Sequence, residues 1–504
     1  MEHIKNFTPR VYQRSILETC KKKHTLVCLP TGMGKTKLAI LLAVHRLNAI
    51  DGSKVLMCSP TKPLSNQICE EFKESTTISP SLINLLTGNT KPEERKKLWA
   101  VSKVIIATPQ TIQSDIENGR ISLENVSLLC LDECHRSKER FANTILAKYY
   151  NEQARNPRVL GLTASPGGTT DKITAICENL NIEAIEIRSE EDPELKQYVQ
   201  EKKAEYINVE LPESIKKIRD KLKGVYTSKV SRLRSFGVTK PASLINKKDL
   251  LVLQIRLRKE ITKGNRAAFG GISLVAQAIK LSHSIELLET QSVSASKAFF
   301  DKLQGDETKA ARNILNDKSV QEGIEQLSIL IKAEVKHPKL EKVVDIISHE
   351  LKQNPSGKSI VFVNFRSTVD EVVQELKKHR HIKPVKLIGQ KEGLTQKQQI
   401  EVLRKFETGI YNCLIGTQIL EEGLDVKGGA ELALFYDPGS GSEIRKIQRS
   451  GRVGRMKPGK VIFLITKNTR DEAYFWSAHR KEKKMKNMLH SMQRKQEKQS
   501  VLSN

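Results

Sequence analysis

The feature that most constrains the fold is a glycine-rich segment near the start of the chain, residues 29–36. An apolar run at residues 25–29 predicts a buried strand before it, and the pattern of residues 38–43 predicts a helix after it. A strand, a turn with inward-facing N–H groups and a helix N-terminus together form a cradle for phosphate. The alternative is a glycine turn between two buried elements. As a phosphate loop, the segment would bind through Thr31, Gly32, Met33, Gly34, Lys35 and Thr36.

Two residues of this segment suit a bound nucleotide. Lys35 can reach the β- and γ-phosphates, and the Thr36 hydroxyl can bind Mg²⁺. The strict phosphate-loop pattern is not met, because Leu29 stands where its first glycine would be. The assignment therefore depends on residues elsewhere in the chain.

Composition favours a multidomain protein that binds a polyanion. A chain of 504 residues is too long for one hydrophobic core, and it has no apolar run of the roughly 18 residues that a membrane span needs. The net charge is +27, and residues 214–268 hold 16 Lys/Arg against 3 Asp/Glu. Nucleic acid is the simplest partner for such a charge, with a solvated basic surface as the alternative. Because only 5% of residues are aromatic, phosphate contacts are favoured over extensive base stacking.

The cysteines and the N-terminus bear on location. The eight cysteines include no C-x-x-C pair and several lie in apolar runs, which predicts reduced, buried thiols rather than disulfides or structural zinc. The N-terminus lacks the apolar core of a secretory signal. We therefore expect a cytoplasmic protein with no membrane partner, associated with the nucleoid in an archaeon or nuclear in a eukaryote.

Residues 1–189 are predicted to form a parallel α/β domain, because apolar runs alternate with helical patterns. The predicted strands are residues 25–29, 55–59, 82–86, 104–107, 128–131 and 159–162. Functional loops are expected where these strands end. Asp132 and Glu133 follow the fifth strand, where one carboxylate can hold Mg²⁺ and the other can polarise the attacking water. Without a phosphate loop nearby, such a pair would be solvated surface.

The rest of the chain is predicted to form three further parts. Residues 190–340 show helical periodicity and carry the basic cluster, in which Arg232 and Arg256 are candidate phosphate contacts or simply solvated. Residues 341–476 return to the α/β pattern, with strands predicted at 359–363, 413–416, 432–436 and 461–465. Residues 477–504 are basic and predict a terminal helix, a DNA-contacting tail or a partly disordered segment.

The second α/β block has no phosphate loop but carries two arginines that suit phosphoryl transfer. Arg452 and Arg455 are three residues apart, so they share one helical face. Guanidinium groups presented from a facing domain can stabilise the charge that develops on a γ-phosphate. The alternative is a basic loop on nucleic acid.

In this order the motifs resemble the core of a superfamily 2 helicase, in which two RecA-like parallel-sheet lobes bind ATP between them. The fold class implied is α/β, with an all-helical insert between the lobes. Further matches are to the Q motif at Gln13 with Arg10 beside it, motif III at Thr163 and Ser165, motif V at Gly423 and Asp425, and motif VI at Gln448, Arg452 and Arg455. The resemblance implies ATP and Mg²⁺ as cofactors. It also implies nucleic-acid contacts at Pro60, Thr61, Thr108 and Thr417.

Residues 389–398, 421–426 and 469–476 are more narrowly similar to the archaeal Hef and FANCM helicase family. That similarity implies an ATP-dependent DNA helicase or translocase that moves 3′ to 5′ on forks and Holliday junctions in DNA repair. Sliding-clamp or nuclease partners are expected with it. Two departures stand out: Cys134 replaces a frequent alanine, and the XPF-type nuclease block of that family is not found within these 504 residues, as expected either for a helicase-only form or for a chain from which the nuclease was cut away. Since Dicer- and RIG-I-like helicases often carry that cysteine, an ATPase stimulated by double-stranded RNA is the alternative. A passive nucleic-acid clamp with vestigial ATP binding is a third, which the intact catalytic set disfavours.

Overall fold

The computed structural model describes residues 1–137, 139–167, 169–198, 202–389, 394–417, 420, 430–438 and 459–502. Within these residues the chain forms two parallel β-sheets with a helical region between them in sequence. The predicted fold class, two parallel-sheet lobes with a helical insert, is confirmed. Over the same residues, no helix is long and apolar enough to cross a membrane.

The first lobe is built on a sheet of seven described strands. These are β1 Thr25–Cys28, β2 Lys54–Cys58, β3 Ile83–Leu86, β4 Val104–Ala107, β5 Val126–Asp132, β6 Val159–Thr163 and β7 Ala184–Ile187. Its helices are α1 Val11–Lys22, α2 Lys35–Ala49, α3 Lys62–Ser75, α4 Pro92–Val101, α5 Pro109–Glu117, α6 Ala142–Gln153, α7 Thr170–Leu180 and α8 Pro193–Lys196, with 3₁₀ turns at Pro80–Leu82 and Cys134–Arg136. The strand order is β3-β4-β2-β5-β6-β1-β7, and every pairing is parallel.

All six strands predicted for this lobe are confirmed to within two residues. Helices cover both faces of the sheet, so β1, β4 and β6 are buried along their whole length. Such strands need apolar side chains on both faces and appear in sequence as continuous apolar runs. The edge strand β7 is only half-buried and contains Glu186. Its sequence is therefore not a continuous apolar run.

The second lobe is built on a sheet of six described strands. These are β8 Lys202–Val209, β9 Ser359–Phe362, β10 Pro384–Leu387, β11 Cys413–Gly416, β12 Leu432–Phe435 and β13 Gly459–Thr466, in the order β10-β11-β9-β12-β13-β8. Its helices are α15 Pro338–Gln353, α16 Arg366–Lys377, α17 Gln396–Glu407 and α18 Arg470–Leu502. All pairings are again parallel.

Strand β8 lies in the stretch whose sequence predicts helices only. It is the edge strand of the second sheet and pairs with β13 along eight residues. Its side chains are largely exposed, and Tyr206 is 47% exposed. An edge strand is held mainly by backbone hydrogen bonds to its neighbour, so it needs no apolar run, and the local sequence does not predict it.

The helical insert follows β8. Its helices are α9 Glu213–Ser231, α10 Lys247–Thr262, α11 Ala268–Thr290, α12 Val293–Gln304, α13 Lys309–Leu315 and α14 Lys318–Lys332, with 3₁₀ turns at Arg232–Phe236 and Ala242–Leu244. Helix α11 shows the helical periodicity predicted for residues 190–340: Leu274, Ala278, Leu281, Ile285 and Leu288 follow one another along one face and are all buried. The insert thus has its own core, formed mainly by α9 and α11 packed against shorter helices.

A buried polar junction joins the end of α11 to the second lobe. Lys339 of α15 pairs with Asp471 of α18, both side chains are almost fully buried, and Lys339 also donates to the carbonyl of Thr290 at 3.3 Å. Next to it, Tyr436 donates to the carbonyl of Gln291 at 2.8 Å. Polar groups withdrawn from water need such partners, so these contacts hold the insert to the second lobe in one geometry.

Replacing Asp471 with Ala should destabilise the second lobe strongly. Lys339 would be left as a buried, unpaired ammonium, a change that typically costs about 3–5 kcal/mol. The effect is measured by urea denaturation followed by Trp476 fluorescence, with Trp99 replaced by Phe in every variant. The control is Lys342→Ala on α15, the helix that carries Lys339. It breaks only an exposed pair with Asp345 and should change the free energy of unfolding little. Equal stability of the two variants would contradict a structural role for the buried pair.

Candidate functional site

The glycine-rich segment forms a tight loop between β1 and α2. Gly32 has a φ of 81°, and Gly34, which caps the N-terminus of α2, has a φ of 70°. A Cβ atom on Gly34 would lie 2.6 Å from Nε2 of Gln13. Glycine is therefore required at position 34 both by the left-handed backbone and by the side chain that packs on it.

Lys35 and Thr36 begin α2, where N–H groups without intrahelical partners favour an anion. The first turn of this helix contains no acidic residue. Nζ of Lys35 donates to the carbonyl of Leu29 at 3.3 Å, so the ammonium group bends back over the loop. The loop, the helix N-terminus and the lysine together suit a chain of phosphates.

Two carboxylates lie at the same edge of the sheet. Strand β6 separates β5 from β1, and the register aligns Asp132 with Leu162 and Thr163 with Cys28. Glu133 then turns out of the strand with a φ of 51°, and its N–H donates to Oδ1 of Asp132 at 3.0 Å. Asp132 and Glu133 are therefore separated from the glycine-rich loop by one strand, β6.

The electrostatics of the carboxylate pair suit a divalent cation. Burial, followed by the charge of Glu133, raises the pKa of Asp132 above its usual range, while Lys35 opposes the shift. Burial also acts to raise the pKa of Glu133, but His135, Lys35 and Arg136 outweigh it and lower that pKa. Hard oxygen donors that repel each other in an enclosed site fit Mg²⁺ with part of its water shell. Thr36 would supply a further oxygen.

His135 connects this pair to the next strand. Its Nδ1 lies 3.1 Å from Oε2 of Glu133 and 3.2 Å from the Thr163 hydroxyl. The Ser165 N–H donates to the same hydroxyl at 3.1 Å, and the Ser165 side chain donates to the sulfur of Met485 at 3.0 Å. Met485 belongs to α18, which starts in the second lobe. A chain of contacts therefore runs from Glu133 to a helix that leaves the other lobe.

The segment before β1 is joined to the glycine-rich loop by hydrogen bonds. Gln13 accepts the N–H of Arg10 at 2.9 Å and donates to the carbonyl of Gly34 at 3.2 Å. Tyr12, fully buried, donates to the carbonyl of Met33 at 2.8 Å. Both polar ends of Gln13 thus contact protein, and the side chain ties the segment to the loop.

Three family models together match most of the chain. Residues 10–173 match “DEAD/DEAH box helicase”, residues 214–337 match “Putative ATP-dependent RNA helicase, helical bundle”, and residues 338–457 match “Helicase conserved C-terminal domain”. The crystal structure of the Pyrococcus furiosus Hef helicase domain is 43% identical, with a TM-score of 0.70, and the match covers 93% of this chain and 98% of that one. This chain belongs to the Hef helicase family. Both of its lobes match helicase domain families.

Among the curated relatives, some are named RNA helicases and others DNA helicases. A Methanocaldococcus jannaschii protein is 37% identical over 97% of this chain and 61% of its own length. Its name, like that of the helical-bundle family, is that of a putative ATP-dependent RNA helicase. The ATP-dependent DNA helicases mph1 of Neurospora crassa and fml1 of Schizosaccharomyces pombe are each 30% identical over 92% of this chain, and the matches cover 41% and 57% of those proteins. This Hef-family chain thus spans less than two thirds of these relatives.

The lobe residues predicted to contact nucleic acid lie at strand ends. Thr61 follows Pro60 after β2, and Thr108 follows β4, the strand next to β2, so both reach one edge of the first sheet. Among the described residues, the buried Thr61 hydroxyl has no hydrogen-bond partner, whereas the Thr108 hydroxyl bonds that of Thr111 at 2.8 Å. Thr417 follows β11 in the second lobe.

The two insert arginines differ in their surroundings. Arg256 lies on α10, and its guanidinium donates to the carbonyl of Phe236, so it already braces the adjacent 3₁₀ turn. Arg232 starts that turn and is exposed, with no hydrogen bond or ion pair of its side chain to any residue that the structure describes. Arg232 is thus the freer of the two to meet a phosphate.

The predicted second half of the ATP site falls outside the described residues. This concerns Gly423, Asp425, Gln448, Arg452 and Arg455. Their roles in the helicase remain predictions from the sequence.

Tyr198 is a residue of this region that the sequence pattern does not single out. Its ring lies 4.4 Å below the guanidinium of Arg10 and meets the ring of Tyr12 edge-on at 5.7 Å. Nearby Leu195 is buried in the core of the first lobe, and the chain then continues to β8 of the second lobe. Tyr198 lies in the connection between the lobes and packs against the segment before β1. We refer to this contact as the Tyr198 clamp.

Replacing Tyr198 with Ala should raise the KM for ATP by about three- to fivefold, because a cation–π contact of about 0.5–1 kcal/mol that orients Arg10 is lost. The measurement is steady-state ATP hydrolysis with saturating nucleic acid, together with thermal unfolding of each variant. Tyr198→Phe keeps the ring and should behave like the natural protein. An unchanged KM in Tyr198→Ala, or an equal loss in both variants, would contradict the clamp.

Proposed function

We propose that this chain is an ATP-driven motor that remodels branched DNA, such as forks and Holliday junctions, and moves 3′ to 5′. The observation that carries the proposal is the insert, whose basic helices are held to the second lobe by buried contacts at Lys339 and Gln291. A lobe that moves on ATP binding would then carry the insert with it. The names of the mph1 and fml1 relatives support DNA as the polymer.

The residues of the first lobe have distinct proposed roles in hydrolysis. The loop N–H groups and Lys35 bind the β- and γ-phosphates, while Thr36 and Asp132 hold Mg²⁺, which neutralises phosphate charge when bound. Glu133 orients the attacking water, and its lowered pKa keeps it able to accept a proton. Arg10 and Gln13 are proposed to take part in recognition of the adenine, as their resemblance to the Q motif implies.

Movement is proposed to follow from contacts that link the nucleotide to the other lobe. His135 and Thr163 connect Glu133 to Ser165, and Ser165 contacts Met485 of α18. Arg452 and Arg455 complete the site when the lobes close, with Gln448, Gly423 and Asp425 at the same interface. Cycles of closure then step the lobes along a strand, a gating mechanism.

The alternative, an ATPase stimulated by double-stranded RNA, is based on the name of the M. jannaschii relative and on Cys134. The side chain of Cys134 is fully buried in the core of the first lobe. It packs against Gly161, where an added Cβ would lie 3.2 Å from its sulfur. A cysteine in that position reflects packing behind the strand rather than the polymer bound, so DNA is favoured.

Such a motor would work at the chromosome, in a nucleoid or a nucleus, with a sliding clamp or a nuclease as fitting partners. The test compares forked DNA, linear duplex DNA and double-stranded RNA as stimulators of ATP hydrolysis. Forked DNA should stimulate most. Preference for double-stranded RNA would overturn the choice of DNA.

Replacing Lys35 with Ala should abolish ATP hydrolysis while DNA binding is retained, because the phosphates lose their cation and the nucleic-acid surface is untouched. ATPase activity and DNA binding are measured on the same preparation. Lys37→Ala on the same helix is the matched control, since the partly buried Lys37 ammonium pairs with Glu71 at 3.3 Å rather than with the glycine-rich loop. Retained DNA-stimulated ATPase in Lys35→Ala would rule out the proposed phosphate site.

A further inference from the structure

Strand β8 of the second lobe is the longest edge strand that the structure describes. It pairs with β13 over eight residues in unbroken register, whereas the edge strands β3, β7 and β10 are each four residues long, and β10 begins with a proline. Natural sheets keep exposed edges short, interrupt them with proline or a bulge, or cover them, because an open edge accepts a further strand. Within the described chain, β8 uses none of these three devices.

The outward backbone groups of β8 belong to every second residue. The carbonyl of Val209 accepts the N–H of Lys467 at 2.9 Å, so Val209 faces β13, and the alternate residues of the strand face the other way. The N–H and C=O groups of Ala204, Tyr206 and Asn208 therefore point away from β13. All three residues are exposed, and no strand pairs with them in the part of the chain that the structure describes. We refer to these three residues as the β8 edge.

A row of aromatic rings ends beside the β8 edge. The ring of Tyr206 stacks on that of Phe463 at 5.5 Å and meets the ring of Phe475 edge-on at 4.9 Å. Phe475 in turn meets Trp476 of α18 at 5.2 Å. Phe463 and Phe475 are buried in the core of the second lobe, but Tyr206 is 47% and Trp476 is 51% exposed. Half-exposed rings beside unpaired backbone groups offer an apolar surface to the side chains of an added strand.

The charges that flank this surface are mainly positive. Lys203 on β8 and Lys483 on α18 are exposed, and neither forms an ion pair or a side-chain hydrogen bond with any residue that the structure describes. Residues 480–484 of α18 hold four Lys/Arg against one Glu. On β8 itself, Glu205 is engaged by Lys460 at 3.6 Å. An acidic strand is therefore attracted to this edge, and a basic strand is repelled.

We propose that the β8 edge binds an extended acidic segment of another protein as an additional β-strand. The backbone groups of the three edge residues hydrogen-bond the added strand. Every second side chain of that strand packs on Tyr206 and Trp476, and its acidic side chains lie near Lys203 and Lys483. In this mode of recognition the main chain supplies affinity, and the alternating side chains supply specificity. The inference concerns a protein partner, so it does not depend on which nucleic acid the motor tracks.

The test uses a phage-displayed library of random peptides about ten residues long, selected on the full chain without nucleic acid. Sequences that alternate apolar and acidic residues should be enriched. The main variant is Ala204→Pro, which removes an N–H that points away from β13 and leaves the pairing with β13 intact. Measured by fluorescence anisotropy, the enriched peptides should bind this variant at least about tenfold more weakly.

Further variants separate the apolar contacts from the charged ones. Tyr206→Ser/Trp476→Ser should weaken peptide binding by about fivefold at every salt concentration. Lys203→Glu/Lys483→Glu should weaken it at low salt and change it little at high salt, because exposed charges are screened. Ile410→Ser is the matched control, since Ile410 is 54% exposed in the same lobe and precedes β11; it should bind the peptides normally.

Thermal unfolding checks that each variant is folded, and Asn208→Pro, at another outward position, replaces Ala204→Pro if that variant unfolds. The proposal is overturned if no alternating acidic peptide is enriched, or if such peptides bind the proline variant as tightly as the natural protein. Dimers that the proline variant abolishes, without peptide enrichment, would assign the edge to a second copy. Single-stranded DNA that displaces the peptides and depends on Trp476 but not on the edge N–H would assign the surface to nucleic acid. Either result also overturns the proposal, whereas the proposed function is tested separately by ATP hydrolysis with forked DNA.

Discussion

The parallel pairing of β5, β6 and β1 is the constraint on which the candidate ATP site depends. Because the three strands run in the same direction and in register, Asp132, Thr163 and the glycine-rich loop all arise at one edge of the sheet. A shift of one residue in β5 would point the carboxylate of Asp132 to the opposite face of the sheet. The left-handed turns at Gly34 and Glu133 then aim the loop and the second carboxylate into the space beyond that edge.

The proposed motor must convert a change at this edge into movement, and the structure contains two sets of contacts that suit the task. One is the contact chain from His135 through Ser165 to Met485, which ties the catalytic edge to α18. The other is the buried junction of Lys339, Asp471 and Gln291, which holds the insert to the second lobe. Burial raises the pKa of Asp471 to about 6, although the charge of Lys339 opposes the shift. Helix α18 takes part in both links, through Met485 and Asp471.

Much of this arrangement could be predicted locally. Central parallel strands must be apolar on both faces, so β1, β2, β4, β5 and β6 can be recognised as apolar runs in the sequence. The buried face of α11 can be recognised from the helical spacing of its apolar residues. Edge strands carry a weaker signal of this kind, and β7, β8 and β10 do not stand out from the sequence, although the edge strand β3 does. In the candidate site, Gly34, Asp132 and Glu133 could be picked out from the sequence. Each belongs to a short local motif of glycines or carboxylates at the end of a predicted strand.

The sequence by itself determined the phosphate loop, the acidic pair, the two-lobed α/β class and the basic insert, since each depends on neighbours in the chain. Only the tertiary structure decided which remote residues meet. Tyr198 clamps Arg10 across nearly the whole first lobe, Met485 reaches Ser165 from the far end of the chain, and β8 joins a sheet whose other strands follow the insert. Contacts of this kind are set by strand register and by the packing of distant elements, and neither leaves a periodic trace in the local sequence.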